Sequence, residues 1–226
     1  LSHLSDPRAA LTRALEEEAA RRFDLAASSP WHALLLRLGP DEQVLIVTLH
    51  HILTDGWSMA ILTRDLSALY RAEIEARAVS LPPLSITYAD YAAWQRTPER
   101  APLLARQVEH WRRLLEGTPP LELPLDRPRP PREETRGIRR AITLDPTQVV
   151  RLHTLARAEG ATLAMVLLAA YAQLLSRWSG QHDFAIGLPI ANRRREETEE
   201  LIGCFVNTLA LRLAPRGEES VGAWIR

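Results

Sequence analysis

Two adjacent histidines with an aspartate close by are the residues of this chain whose types and spacing best suit chemistry. The nine residues His50–Ser58 read HHILTDGWS and follow an apolar run that ends at Leu49. Histidine is the side chain whose unperturbed pKa lies near physiological pH, so an imidazole held in place can accept and return a proton. The segment is therefore a candidate site of proton transfer.

The same residues are compatible with other roles. Two histidines and an aspartate are acceptable zinc ligands, and histidines that end a strand can simply be packed or solvated. Successive strand residues point to opposite faces, so a strand that continued through His50 and His51 would turn the two rings away from a shared metal ion. Spacing alone leaves proton transfer, metal binding and a structural role open. It also does not say which histidine faces reactants.

Asp55 and Gly56 each allow two interpretations. Asp55 could orient an imidazole as the carboxylate of a catalytic triad does, or it could form an ion pair that holds the turn closed. Gly56 allows a positive φ and a close approach of backbone or substrate. Its N–H could also help to bind an oxyanion.

The elements that must position these residues alternate between strands and helices. A strand over Val44–His50 is predicted to pair as a hairpin with one over Trp31–Leu38, and a helix capped by Ser58 follows. This alternation favours an α/β fold with sheets covered by helices. Further helices are predicted over residues 8–22, 88–96, 102–116, 162–178 and after the cap Asp145-Pro146, and further strands over 138–144, 184–190 and 205–213.

The composition fits a globular protein and excludes several function classes. The chain has 226 residues, 46% of them hydrophobic, and its 28 basic and 28 acidic residues balance, so we expect neither nucleic acid nor a membrane surface as partner. The longest apolar run, Leu163–Leu175, is too short to cross a bilayer. Cys204 is the single cysteine, which excludes an internal disulfide and favours a cytoplasmic setting. The start without Met leads us to expect a fragment of a longer protein.

Several segments together resemble one family. His50–Ser58 is similar to the HHxxxDGWS motif of nonribosomal peptide synthetase condensation domains, and Tyr88–Trp94 is similar to their YxDYAxW segment. Ile202–Arg212 is similar to their IGxFVNTLxLR segment, and Gly187–Arg193 also fits the family pattern. The order and the rough spacing agree, and the resemblance covers nearly the whole chain.

The resemblance implies a fold, a reaction and partners. The fold is that of chloramphenicol acetyltransferase, an α/β protein of two lobes, here incomplete at both ends. The implied reaction is the attack of an acceptor amine on a donor thioester. Both substrates are carried on the phosphopantetheine of peptidyl carrier domains, and an adenylation domain lies next in the chain. No cofactor bound directly to this chain, and no metal ion, is expected.

The resemblance also assigns roles to residues. It implies that His51 is the catalytic residue that faces the reactants, as a general base or by orienting the amine. His50, Asp55 and Gly56 support the site, Asp55 through an ion pair rather than a triad. We expect Trp57 to pack, and Asn207 to have a structural role in the site, for example by satisfying a buried carbonyl.

The same resemblance divides the chain into lobes. Residues 1–117 are assigned to the C-terminal part of the first condensation lobe, 118–137 to a proline-rich linker, and 138–226 to the N-terminal part of the second lobe. Nothing here is similar to the two family segments expected before the histidines, one of which carries an arginine that usually pairs with the aspartate. We therefore expect Asp55 to lack its usual partner and the fragment alone to be inactive.

Within the family, the Gly56–Met59 stretch and residues 81–94 are most similar to domains that join an L-configured donor to an L-configured acceptor. One alternative is a free-standing acyltransferase of the same superfamily that uses a coenzyme A thioester. Another is a non-catalytic, truncated segment that only packs against neighbouring domains. The length of the parent protein and the domains beside this segment discriminate among the three.

Overall fold

A computed structural model describes residues 6–128, 140–215 and 220–225. The chain forms two compact units, each of which combines separate stretches of sequence. The first contains the chain up to Pro102 together with Pro189–Asn207, and the second contains Leu103–Leu188 together with the chain from Thr208 onward. All of His50–Ser58 lies in the first unit. The predicted lobe boundaries stay a prediction, and residues 129–137 of the predicted linker lie outside the described residues.

In the first unit, helix α1 (Pro7–Ala19) packs on a two-stranded antiparallel sheet. Strands β1 (Trp31–Arg37) and β2 (Gln43–Leu49) form the predicted hairpin, with Leu34 opposite Ile46. Helix α1 begins where the sequence indicates, because the Asp6 carboxylate accepts the first free N–H groups and Pro7 needs no partner.

A buried carboxylate joins α1 to the sheet. Glu18 is 5% exposed and accepts hydrogen bonds from Thr48 over 2.9 Å and from Nδ1 of His32 over 3.0 Å. Its hydrogen bonds with Arg21, together with those from Thr48 and His32, outweigh the cost of burial and lower the pKa of Glu18 to about 2. The network thus ties the strand that leads to the histidines to the helix behind it.

Two more helices complete the first unit. Helix α2 (Gly56–Ile74) follows the histidines, and α3 (Tyr88–Gln95) begins with a capping box in which Thr87 and Asp90 bond to each other's backbone. A short 3-10 turn, Pro98–Arg100, follows α3. The core of this unit is aromatic and aliphatic, formed by buried Tyr91, Leu201 and Phe205 with Ile86, Tyr88 and Trp94 packed around them.

The second unit contains the remaining helices and most of a second two-stranded sheet. Its elements are α4 (Ala101–Leu114), α5 (Pro146–Ala158), α6 (Leu163–Ser179), α7 (Val221–Ile225), β3 (Phe184–Ile190) and β4 (Asn207–Leu213). Helix α6 is capped at its C-terminus by Gly180, whose φ of 71° is the left-handed conformation that glycine adopts readily. Buried Ala172, Leu175 and Phe184 form one core cluster of the unit.

Most predicted elements are present, with three differences. The cap of α2 is Asp55, whose carboxylate accepts the Ser58 N–H, so the prediction that Ser58 caps this helix is wrong. Residues 140–144 form no strand, and the first two residues of the strand predicted over 138–144 lie outside the described residues. Helix α7 was not predicted.

Within the described ranges, no single helix is long and apolar enough to cross a membrane. The pair α5 and α6 passes a test of length and composition only when the two are taken together, and they are bent by 100° at their junction.

Candidate functional site

The ring of His50 is held by a backbone N–H and by an aromatic neighbour. Strand β2 ends one residue earlier, at Leu49, and the His50 N–H donates to the Pro30 carbonyl over 2.8 Å. The Ile52 N–H donates to Nδ1 of His50 over 3.1 Å. The rings of Phe23 and His50 are nearly perpendicular, with their centroids 6.2 Å apart. Because Nδ1 accepts a hydrogen bond, a neutral His50 carries its proton on Nε2.

His51 lies in a turn and is exposed. Its Nδ1 is 3.7 Å from Sγ of Cys204. Among the described residues, no group forms a hydrogen bond with Nε2 of His51. The two neighbouring rings therefore differ at Nδ1. That nitrogen of His50 accepts a backbone N–H, so a neutral His50 cannot take another proton at Nε2, whereas Nδ1 of His51 adjoins a thiol.

Asp55 forms a buried ion pair with Arg193. Nη2 of Arg193 lies 3.2 Å from Oδ1 of Asp55, and the two side chains are 1% and 4% exposed respectively. Asp55 was expected to lack its usual arginine, from a segment before the histidines, but this does not leave it unpaired, because Arg193 is its partner. The partner comes from the segment that follows β3, which lies far along the sequence but in the same compact unit.

The Asp55 carboxylate also accepts three hydrogen bonds from neutral groups. The Ser58 N–H and hydroxyl each donate to Oδ1 over 2.8 Å, and the Phe205 N–H donates to Oδ2 over 3.0 Å. Burial by itself raises the pKa of Asp55, but the hydrogen bonds from Ser58, Phe205 and Arg193 outweigh it and lower the pKa to about 2. Asp55 is therefore ionised at neutral pH and turned toward Arg193.

Ser58 connects three parts of the site. Its hydroxyl oxygen accepts from Nη2 of Arg193 over 2.7 Å and from the Gly203 N–H over 3.1 Å. Its single hydrogen lies within reach of Oδ1 of Asp55 and of the Gly203 carbonyl, at 2.8 and 2.9 Å. Ser58 is 0% exposed, so these partners replace water completely. Its role is to join the start of α2 to residues 203–205.

Helix α3 also contacts the loop formed by residues 203–205. The Tyr88 hydroxyl donates to the Cys204 carbonyl over 2.8 Å, and the Tyr88 ring meets Phe205 edge-on with centroids 5.0 Å apart. The guanidinium carbon of Arg193 lies 4.0 Å from the Phe205 ring centroid. The segment that contains Asp55 and the other three segments on which the family resemblance depends thus meet in this region.

The remaining predicted site residues occupy different positions. Gly56 is the first residue of α2 and does not adopt the positive φ that glycine allows. Apart from its chain neighbours and the backbone of its own helix, no atom of the described residues lies within 4 Å of a Cβ at this position. The Trp57 indole N–H donates to the Glu199 carbonyl over 3.0 Å, and the side chain is half exposed. Asn207 is the first residue of β4 and is exposed, whereas the suggested role of satisfying a buried carbonyl led us to expect a buried residue.

The geometry separates the three groups that could have formed a zinc site. The Asp55 carboxylate bonds to Arg193, Ser58 and Phe205, and Nδ1 of His50 bonds to backbone. Among the described residues, no cluster of three or more His, Cys, Asp or Glu side chains is placed to hold a metal ion.

Sequence reasoning missed the roles of two residues. Arg193 is the last residue of the Gly187–Arg193 segment, and the fit of this segment to the family pattern was the one indication in the sequence that Arg193 has a role. Cys204 occupies the variable position of the IGxFVNT segment, and nothing in its type or spacing indicated that it adjoins His51.

Comparison with known proteins places this arrangement in a family. The family pattern described as "Condensation domain" matches residues 1–226. The chain belongs to the condensation domain family. The condensation domain is 45% identical over 206 residues to phosphinothricin tripeptide synthetase PhsC of Streptomyces viridochromogenes, a match that covers 91% of this chain and 19% of that protein. It is 42% identical over 217 residues to malpibaldin synthetase of Mortierella alpina, a match that covers 96% of this chain and 4% of that protein.

Solved structures have the same fold as the condensation domain. The X-domain from teicoplanin biosynthesis matches 95% of this chain and 49% of its own, with a TM-score of 0.86 and 32% identity. The first condensation domain of the CDA synthetase matches 100% of this chain and 50% of its own, with a TM-score of 0.72 and 27% identity. These matches confirm the predicted family and its α/β fold. The chain spans about half the length of these solved chains.

Proposed function

We propose that this condensation domain, as part of a longer synthetase, forms an amide bond between a carrier-bound aminoacyl or peptidyl thioester and a carrier-bound acceptor amine. The family and the synthetases among its relatives support this proposal. The observation that carries it is the contrast between the two histidines. His51 is exposed and its Nδ1 adjoins a thiol, whereas His50 is half-buried and its Nδ1 accepts a backbone N–H, which places the proton of a neutral His50 on Nε2.

In the proposed step, the amine nitrogen attacks the thioester carbon as its proton passes to Nε2 of His51. The tetrahedral adduct then collapses, the carbon–sulfur bond breaks, and the departing thiolate takes the proton from Nε2. The products are an amide and the free thiol of the donor arm. Proton transfer of this kind typically contributes about 10²–10⁴-fold to the rate.

Asp55 supports this step from a distance, because both of its oxygens are directed at Arg193, Ser58 and Phe205. Its ion pair fixes the start of α2, and the turn that bears His51 immediately precedes that helix. Gly56 leaves open space where a side chain would otherwise stand, which suits a substrate that must approach the turn. Trp57 and Asn207 remain in supporting roles, Trp57 through its bond to the Glu199 carbonyl.

The proposed partners are a donor and an acceptor carrier domain, each with its substrate on phosphopantetheine, and an adjacent adenylation domain. We further propose that donor and acceptor are L-configured, on the resemblance of residues 56–59 and 81–94 to that subtype. The large size of the related synthetases favours this assembly over a free-standing coenzyme A-dependent enzyme.

The test is reconstitution of the intact parent protein with loaded carriers, followed by mass spectrometry of the product. We expect amide product from an L-aminoacyl donor on its carrier, and none when the same acyl group is supplied as a coenzyme A thioester. Product from the free coenzyme A thioester alone would favour the acyltransferase alternative. A D-configured donor that reacts as fast as the L form would contradict the subtype.

A binding role without chemistry is the second candidate. The X-domain matches with a higher TM-score than the first condensation domain of the CDA synthetase does, and an X-domain structure is a complex with OxyB. A parent protein that loads its carriers but yields no amide, and that retains a partner protein through this domain, would favour this candidate.

A further inference from the structure

Cys204 adjoins the His51 ring and has no part in the step proposed above. Its Sγ lies 3.7 Å from Nδ1 of His51, a separation that a hydrogen bond involving sulfur can span. The ring is exposed and Cys204 is half-buried. The Cys204 thiol therefore contacts the imidazole at Nδ1, the ring nitrogen that does not take part in the proposed proton transfer.

The position of Cys204 is fixed by hydrogen bonds at three consecutive residues. The Gly203 N–H donates to the Ser58 hydroxyl over 3.1 Å, and the Phe205 N–H donates to the Asp55 carboxylate over 3.0 Å. The Cys204 carbonyl itself accepts from the Tyr88 hydroxyl over 2.8 Å. Because Ser58 and Asp55 follow His51 closely in sequence, these bonds hold the thiol in register with the imidazole.

The tautomer of a neutral imidazole gives this contact its significance. One ring nitrogen carries the proton and the other has a lone pair, and the hydrogen bond made by one nitrogen decides which is which. If Nδ1–H of His51 donates to the sulfur, Nε2 keeps its lone pair. If the thiol donates to Nδ1 instead, the proton lies on Nε2, which then cannot accept another.

We propose that Cys204 is a positioning residue: its sulfur accepts the Nδ1–H of His51 and thereby keeps Nε2 ready to take the proton of the acceptor amine. This inference rests on the proposed function, since it requires His51 to meet the amine. Cys204 contacts neither substrate, and its own proton stays on sulfur. The transferred proton passes only from the amine to Nε2 and then to the departing thiolate.

Two variants of Cys204 in the intact parent protein test the proposal. Serine retains a hydrogen-bond acceptor at nearly the same place, whereas alanine has similar bulk and no acceptor. We expect Cys204→Ala to lower kcat for amide formation by about three- to tenfold, the loss of one modest hydrogen bond, with KM for the acceptor unchanged. We expect Cys204→Ser to stay within about twofold of the wild type. Ile202→Ala, an exposed neighbour in the same loop, is the matched control and should retain the wild-type rate.

A double-mutant cycle with His51 separates positioning from packing. In the His51→Ala background, Cys204→Ala should cause no further loss, because there is no ring left to position. An unchanged rate in Cys204→Ala, an equal loss in the alanine and serine variants, or the same loss with and without His51 would each overturn the proposal. If the residual rate of His51→Ala is too low to measure, the comparison of alanine with serine decides alone. If the proposed function itself is wrong, the outcome is different: His51→Ala then turns over at the wild-type rate.

Discussion

Asp55 and Arg193 form a buried ion pair, 3.2 Å from Oδ1 to Nη2, that joins the N-terminus of α2 to the segment after β3. Both side chains are almost fully removed from water. A charge in such a position is stabilised by its partner, and loss of the partner leaves it uncompensated. The pair therefore matters more to the folded state around His51 than a surface ion pair would.

We predict that Asp55→Ala destabilises the domain by about 3–5 kcal/mol, because Arg193 then remains buried without its counter-charge. Protease resistance of the intact parent protein in increasing urea measures this loss. Glu75→Ala, which removes an exposed ion pair with Arg77, is the control and should change stability by less than about 1 kcal/mol. An Asp55 variant of full stability that has lost turnover would instead assign Asp55 to the chemistry.

Stability should also depend on pH through Asp55. Its pKa is lowered from 3.8 to about 2 in the folded state, so its ionisation stabilises the fold fully above pH 4, and this contribution is lost as the pH falls toward 2. The contribution is on the order of 2 kcal/mol. The free energy of unfolding of the wild type should therefore approach that of Asp55→Asn as the pH falls through this range. A difference between the two that stays constant down to pH 2 would contradict the assignment.

Ser58→Ala should destabilise the domain although it removes a single oxygen. The hydroxyl is fully buried and bonds to Arg193, Asp55 and Gly203, so its loss leaves donors unpaired at a cost of about 1–3 kcal/mol. Ser67→Ala on the same helix is the control, since Ser67 is exposed and its hydroxyl donates to the Thr63 carbonyl of its own helix. Equal urea midpoints for the two variants would show that the Ser58 network contributes little.

Two glycines should respond differently to alanine. A Cβ at Gly203 would come within 2.1 Å of the Tyr88 ring, which must then move and give up its bond to the Cys204 carbonyl. We expect Gly203→Ala to cost about 1–3 kcal/mol, as overpacking of a core does. The Cβ of Gly56→Ala would contact no described residue beyond its own chain neighbours and helix backbone, so this variant should leave stability unchanged or slightly higher.

Turnover of the stable Gly56→Ala variant then tests the role of that glycine. A loss of amide formation without a loss of stability would support the proposal that a substrate approaches Gly56. Retained turnover would remove Gly56 from the site-supporting residues.

The sequence predicted most elements near the histidines because their local signals agree. Asp6 and Pro7 mark the start of α1, and two apolar runs separated by a turn at Asp41-Glu42 mark the hairpin of β1 and β2. The cap of α2 was assigned to Ser58 because serine is a good cap, but Asp55 takes that position and Ser58 serves a tertiary network instead. The choice between two good capping residues depends on partners that lie far along the chain.

Contacts between distant segments explain what the sequence did not predict. Arg193 lies in a segment that fits the family pattern. Its contact with Asp55 could not be predicted, because it depends on how the chain returns after β3. The neighbourhood of Cys204 and His51 likewise follows from the hydrogen bonds of residues 203–205, which no periodicity encodes. The family resemblance indicates which segments matter, and the hydrogen bonds between distant residues determine how these segments meet.

In the proposed reaction, Nε2 of His51 receives the proton of the acceptor amine. The most direct test of this transfer is single-turnover amide formation by the intact parent protein with both carriers loaded, comparing the wild type with His51→Ala. We predict that the rate falls by about 10²–10⁴-fold while carrier loading is unchanged. Amide formation at the wild-type rate in His51→Ala would exclude His51 as the group that receives this proton.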